Sequence, residues 1–125
     1  MERKTTVPRG DEQAERIRQR ATWYFALRNP RFAVAVLYSG ALSLIPERIQ
    51  AKLGRDLTHR ERLEVIKREI PEIYTHARAL TYFFELATYS GRKIQDAHVH
   101  EAIAELTAMD EQLSRADDVS RNASN

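Results

Sequence analysis

The chain has 125 residues, 42% hydrophobic and 30% charged, with four glycines, four prolines and no cysteine. That length suits one domain with a sizeable core, the composition lies outside the disordered class, and the lack of cysteine excludes disulfides and thiolate metal sites. The formal charge of +2 is unevenly spread: Lys and Arg outnumber Asp and Glu by eight to four over residues 1–31 and seven to five over 32–70, then fall behind by five to nine over 71–125. A basic front and an acidic back suit an anionic partner or head-to-tail self-association.

Residues 1–10 read as a flexible basic arm ending at Pro8-Arg9-Gly10. No apolar run follows its charges, so it does not read as a signal peptide, and a soluble cytoplasmic protein with no membrane contact is expected. A first helix is predicted from the cap Asp11 to Arg28, with Ala14, Ile17, Ala21, Tyr24 and Leu27 or Arg28 on its buried stripe. Trp23 and Phe25 lie off that stripe and should meet a neighbouring element. Asn29 and Pro30 then announce a second helix, because proline lacks an N–H that would be unpaired at the first helical position anyway. From Phe32 to Ile45 no residue is charged. The run reaches roughly 21 Å, short of the ~30 Å of a membrane core, so residues 30–45 are expected to form the buried central helix of a bundle.

Pro46 ends that run. ERIQAKLG reads as a short helix or turn capped by Gly54. Thr58-His59-Arg60-Glu61 fits a capping box that opens a third helix, burying Leu63, Ile66 and Ile70. Pro71 forces a break at Ile70. A fourth helix is predicted over about 72–89, broadly apolar and closed by Ser90-Gly91, and a fifth from near Asp96 carries Val99, Ile103, Leu106, Met109 and Leu113. A polar tail is expected to fray over 114–125. No strand-like alternation persists, so the expected fold is all-α: one domain over 11–113, a bundle of about five helices.

Few residues suggest chemistry. His98 and His100 are two apart, about 200° around a helix, and cannot chelate one ion together. His59 and His76 have no acidic partner at ligand spacing, and no metal site or cofactor is expected. Glu101, Glu105 and Asp110 read as solvated charge along one helix. Ser39, Gly40 and Ala41 are small enough to let another helix approach closely. Lys52, Arg55, Arg60, Arg62 and Lys67 cluster between Arg48 and Arg68; with Arg3, Lys4 and Arg9 they are candidate phosphate contacts, although Glu61, Glu64 and Glu69 are interleaved.

The order of elements carries a resemblance. A first helix turns briefly into an apolar second one in ATWYFALRNPRFAVAVLYSGAL, Thr58-His59 opens a third, and HARALTYFFELATY ends a fourth in tyrosine before a loop and a last amphipathic helix. Over most of residues 12–113 this layout resembles the HEPN domain (higher eukaryotes and prokaryotes nucleotide-binding). The resemblance implies a four- or five-helix bundle that often dimerises, a binding or assembly module in nucleotide or RNA metabolism without robust catalysis. Its implied partners are a second copy, a nucleotidyltransferase-like protein, or RNA. Ribonuclease members of that family use an arginine, a polar residue and a histidine. Arg92 and His98, with five residues between them, are the comparable pair here, with Lys93 where a small polar residue is usual. If the chain is an enzyme, the resemblance implies a metal-independent ribonuclease. Residues 85–106, ELATYSGRKIQDAHVHEAIAEL, are also similar to the end of a histone-fold central helix with its loop and last helix, and to the lid domains of AAA+ ATPases. That likeness implies Arg92 and Lys93 against a DNA backbone.

Overall fold

A computed structural model of the chain describes residues 10–124, with side chains over 12–116. The expected flexible arm, apart from Gly10, lies outside the described residues. Six α-helices follow in order: α1 Gly10–Ala26, α2 Pro30–Leu44, α3 Glu47–Gln50, α4 His59–Glu69, α5 Tyr74–Tyr89 and α6 Asp96–Ser124. A 3₁₀ turn, Pro71–Ile73, sits between α4 and α5, and no strand occurs among the described residues. The sixth helix is the single turn α3. One hydrophobic core joins residues from all six, including Ala21, Leu37, Ile49, Ile66, Leu80 and Leu106.

Local signals set the boundaries. The Asn29 side chain accepts the Phe32 N–H (3.2 Å) at the start of α2, with Pro30 as its first residue. At α4, Thr58 Oγ1 accepts the Glu61 N–H (3.1 Å) while the Glu61 carboxylate accepts the Thr58 N–H (2.8 Å), a complete capping box. Ile70 leaves helical geometry before Pro71 (φ −147°, ψ 69°), as its position requires. Gly91 closes α5 with φ +72°, the left-handed region that glycine enters freely.

Two ends differ from expectation. The short helix stops at Gln50 with Ala51 as its cap; Gly54 has no left-handed φ and is not a helix cap. The last helix continues past 113 to Ser124. Nothing after Gly91 is a glycine or proline, so no residue there compels a stop.

The turn between α1 and α2 is a Schellman motif. The Arg28 N–H donates to the Phe25 carbonyl (2.9 Å) and the Asn29 N–H to the Tyr24 carbonyl (2.9 Å). Arg28 itself takes φ +62°, where glycine is the favoured residue. Arg28→Gly is therefore expected to stabilise the fold by about 0.5–1 kcal/mol, the left-handed relief minus what glycine gains in the unfolded chain. A raised urea midpoint would show it; a lowered one would mean that the arginine side chain holds the turn.

α2 departs most from expectation. Ala33, Val34, Val36, Leu37, Tyr38 and Ala41 are buried, packed against α1, α5 and α6. The other face is open: Phe32 is 45% exposed, and Ser39 and Ser43 are exposed. The run is uncharged all round yet buried on one side only. Gly40 is where α1 comes closest: a Cβ there would stand 2.6 Å from Ile17 Cγ2.

Candidate functional site

The basic segment running from Lys52 through α4 is matched by carboxylates in part. Lys52 pairs with Glu69 (3.2 Å) and Arg68 joins it (3.3 Å); the Lys52 and Arg68 bonds hold the Glu69 carboxyl below its ordinary range. Lys67 lies over the Tyr74 ring, 5.3 Å from its centre. Arg60 clasps Glu85 through Nε (2.8 Å) and Nη2 (3.0 Å). Arg62 reaches toward the Gly54 carbonyl at 3.5 Å. Arg55 is exposed.

Glu85 is the hub of a cluster that no spacing in the sequence announced. The Thr58 cap places His59 first in α4, and His59 Nε2–H donates to Glu85 Oε2 (2.6 Å) from across the α4–α5 seam. The Arg60 bond, with His59 adding to it, holds the Glu85 carboxyl below its usual range against the opposing pull of partial burial. The His59 ring meets Phe84 edge-on (5.7 Å) and stacks on Tyr89 (5.9 Å), and Phe84 stacks on Tyr38 (4.3 Å). Behind them lies a cavity of about 10 Å³, the room of one water, lined in part by Tyr38, His59, Arg62 and Thr81. Tyr38 is only 6% exposed, and among the described residues its hydroxyl is the one buried side-chain oxygen or nitrogen without a hydrogen-bond partner. Arg62 and Thr81 lie near it without reaching hydrogen-bond geometry, and burial pushes its ionisation upward.

This cluster braces the α4–α5 seam: Arg60 holds both Glu85 oxygens, and His59 adds a further bond to one of them. The Thr81 hydroxyl donates to the Ala77 carbonyl (2.8 Å). A second clip, His76 Nδ1–H to Glu105 Oε1 (2.7 Å), ties α5 to α6. Glu105 is therefore not merely solvated charge, and Asp110 is buried at 8% exposure. No group of three or more His, Cys, Asp or Glu able to hold a metal occurs among the described residues, and none of their helices is long and apolar enough to cross a membrane.

The Arg92 backbone and the His98 ring each take part in local hydrogen bonds. The Arg92 N–H donates to Ser90 Oγ (3.0 Å), and its carbonyl accepts from Arg31 Nη2. His98 Nδ1 accepts the Gln95 N–H (2.9 Å), taking the place of the glutamate in a capping box at the start of α6. Among the described residues no hydrogen bond or ion pair joins the two side chains. Lys93 is exposed beside Arg92.

The open face of α1 and α2 is the other candidate surface. Trp23 and Leu27, one turn apart, are 59% and 56% exposed. Trp23 meets Tyr24 edge-on (5.0 Å), and Tyr24 meets Phe32 edge-on (4.4 Å). Beyond Phe32 a hollow runs along α2 past Ala35, Val36, Ser39, Gly40 and Ser43. Phe25, also off the predicted stripe, does find a neighbour in the His100 ring (5.6 Å); among the described residues the ring contact of Trp23 is with Tyr24, on its own helix. Comparison of the chain with family models, with curated proteins and with solved structures returns no match.

Proposed function

We propose that the chain is a helical binding and assembly module, HEPN-like in its helix order, which works as a homo-oligomer in nucleotide or RNA metabolism without robust catalysis. The observation that carries this reading is the continuous apolar strip from Trp23 and Leu27 through Phe32 to Ser43. Three large side chains about half exposed amount to on the order of 300 Å², and patches of that size on a monomer are often functional. With the hollow along α2 the strip supplies about half of the roughly 800 Å² that each partner contributes to a standard interface, as the apolar centre of a contact with a polar rim. α2 carries no charge beyond Arg31, the flanking cations Arg16 and Arg20 come from α1 and form a basic rim, and an exposed tryptophan is the residue type that most often anchors such contacts.

Sedimentation across a dilution series tests it. A reversible dimer at micromolar concentration is expected, weakened at least about 30-fold by Trp23→Ala, the equivalent of a 2 kcal/mol hot spot. Ser39→Arg, on an exposed site that leaves the core untouched, should have the same direction. A strictly monomeric profile at every concentration would overturn the proposal.

A further inference from the structure

The tertiary fold gathers cations that are far apart in the chain. Arg31, second residue of α2, donates through Nη1 to the Ala87 carbonyl at the end of α5 and through Nη2 to the Arg92 carbonyl in the α5–α6 loop. This clamp fixes the loop carrying Arg92 and Lys93 against the α1–α2 turn carrying Arg28. Arg28, Arg92 and Lys93 are exposed and Arg31 is half-buried. None of the four has a carboxylate partner among the described hydrogen bonds and salt bridges, in contrast to Lys52 and Arg60, which are matched by glutamates. The partners of Arg31 are neutral carbonyls, so no carboxylate offsets it there.

The two segments that meet here are also free of acid. No Asp or Glu occurs from Arg16 to Pro46, nor from Leu86 to Gln95. Two cations from the basic front of the chain, Arg28 and Arg31, thus meet two, Arg92 and Lys93, from its otherwise acidic back. Aromatic surface lies beside it, with Phe32 next to Arg31 and Tyr89, 68% exposed, just before the loop. Finally, Arg28 holds a left-handed backbone position that favours glycine. A side chain kept where it costs stability is a signature of a functional position.

From these observations we infer that Arg28, Arg31, Arg92 and Lys93 form a phosphate-contacting site for the backbone of a nucleic acid, with Arg31 as the positioning residue that holds the loop. The site is sequence-tolerant: it offers point charges and an arginine clamp, with no helix face shaped to enter a groove. In the basic segment over 52–67, Lys52 and Arg60 are matched by glutamates while, among the described residues, Arg55, Arg62 and Lys67 are not; that segment lies on other elements and is kept as the contrast in the test.

The test is retention of a short single-stranded RNA of mixed sequence, and of a duplex DNA of the same length, across a salt series. Three phosphate contacts, from Arg28, Arg92 and Lys93, predict a log–log slope near −2.1 on the single strand, which is about a 20-fold loss of affinity between 50 and 200 mM salt. Arg28→Gly, which should fold at least as well as the parent, is expected to flatten the slope by about 0.7, and Arg92→Ala with Lys93→Ala by about 1.4. Lys52→Ala with Arg55→Ala and Lys67→Ala should leave it unchanged. Retention of RNA alone, or of both probes, supports the site and tells which polymer it prefers. No salt-dependent retention of either probe, or retention lost only with the 52, 55 and 67 substitutions, would overturn it.

Discussion

Gly40→Val is expected to cost about 2–3 kcal/mol, because the position has no room for a side chain. α1 crosses α2 here, and a Cβ would already stand 2.6 Å from Ile17 Cγ2 and 2.8 Å from its Cγ1 and Cδ1. A branched side chain adds two more carbons in the same space. Gly40→Ala should cost less, since alanine recovers about 1 kcal/mol of helix propensity and offsets part of the clash. The sign of the mechanism is checked by a second change. Ile17→Ala removes all three crowded atoms, so the double variant should be more stable than the sum of the two single effects. Gly54 has nothing within 4 Å of a built Cβ, and Gly54→Ala should stay within about 0.5 kcal/mol of the parent. Urea unfolding of the five variants gives the answer, and a Gly40→Val chain as stable as the parent would show that α1 is not pinned at this crossing.

Glu85→Gln is expected to remove about 1–2 kcal/mol at neutral pH, because one carboxylate serves both His59 and the Arg60 fork. The figure sits low in the range for charged hydrogen bonds because the Arg60 side chain is 76% exposed and solvent screens its pull. The pH dependence has a definite sign. Arg60 first, and His59 after it, hold the folded carboxyl below the ordinary 4.5 of the unfolded chain. Its contribution is therefore present above that unfolded value and is lost as the pH falls through the lower folded one. The stability gap between parent and Glu85→Gln should be steady above the ordinary carboxyl value of 4.5 and close progressively on acidification below it. A gap that stayed constant over that window would mean the carboxylate makes no charge-dependent contribution. Loosening should appear first at the α4–α5 seam, where amide exchange of α4 would rise before that of α2.

A bracing role for this hub also bears on the reading of the histidines. His59 and His76 each look isolated along the chain, and each has a glutamate on another helix, 26 and 29 residues away. No spacing rule reaches that far, since helical periodicity relates only residues three or four apart. His98 was legible as a residue at a helix start, but its work as a cap acceptor depends on which way the ring turns.

What the sequence determined by itself is the punctuation and the class. Asn29-Pro30, the Thr58–Glu61 box, the break before Pro71 and the stop at Gly91 each act through their own backbone within a turn, so residue type alone decides them. The 3.6-residue spacing of Ala14, Ala21, Leu80, Val99 and Leu106 likewise marks faces that are now fully or almost fully buried. The tertiary structure alone decided which side of α2 stays open, because alanine, serine and glycine are nearly indifferent to burial and an uncharged run has no polar face to declare. It also decided which cations are matched and which stand together. Charge pairing depends on distance through space, and the clamp from Arg31 to the Arg92 carbonyl spans 61 residues of chain.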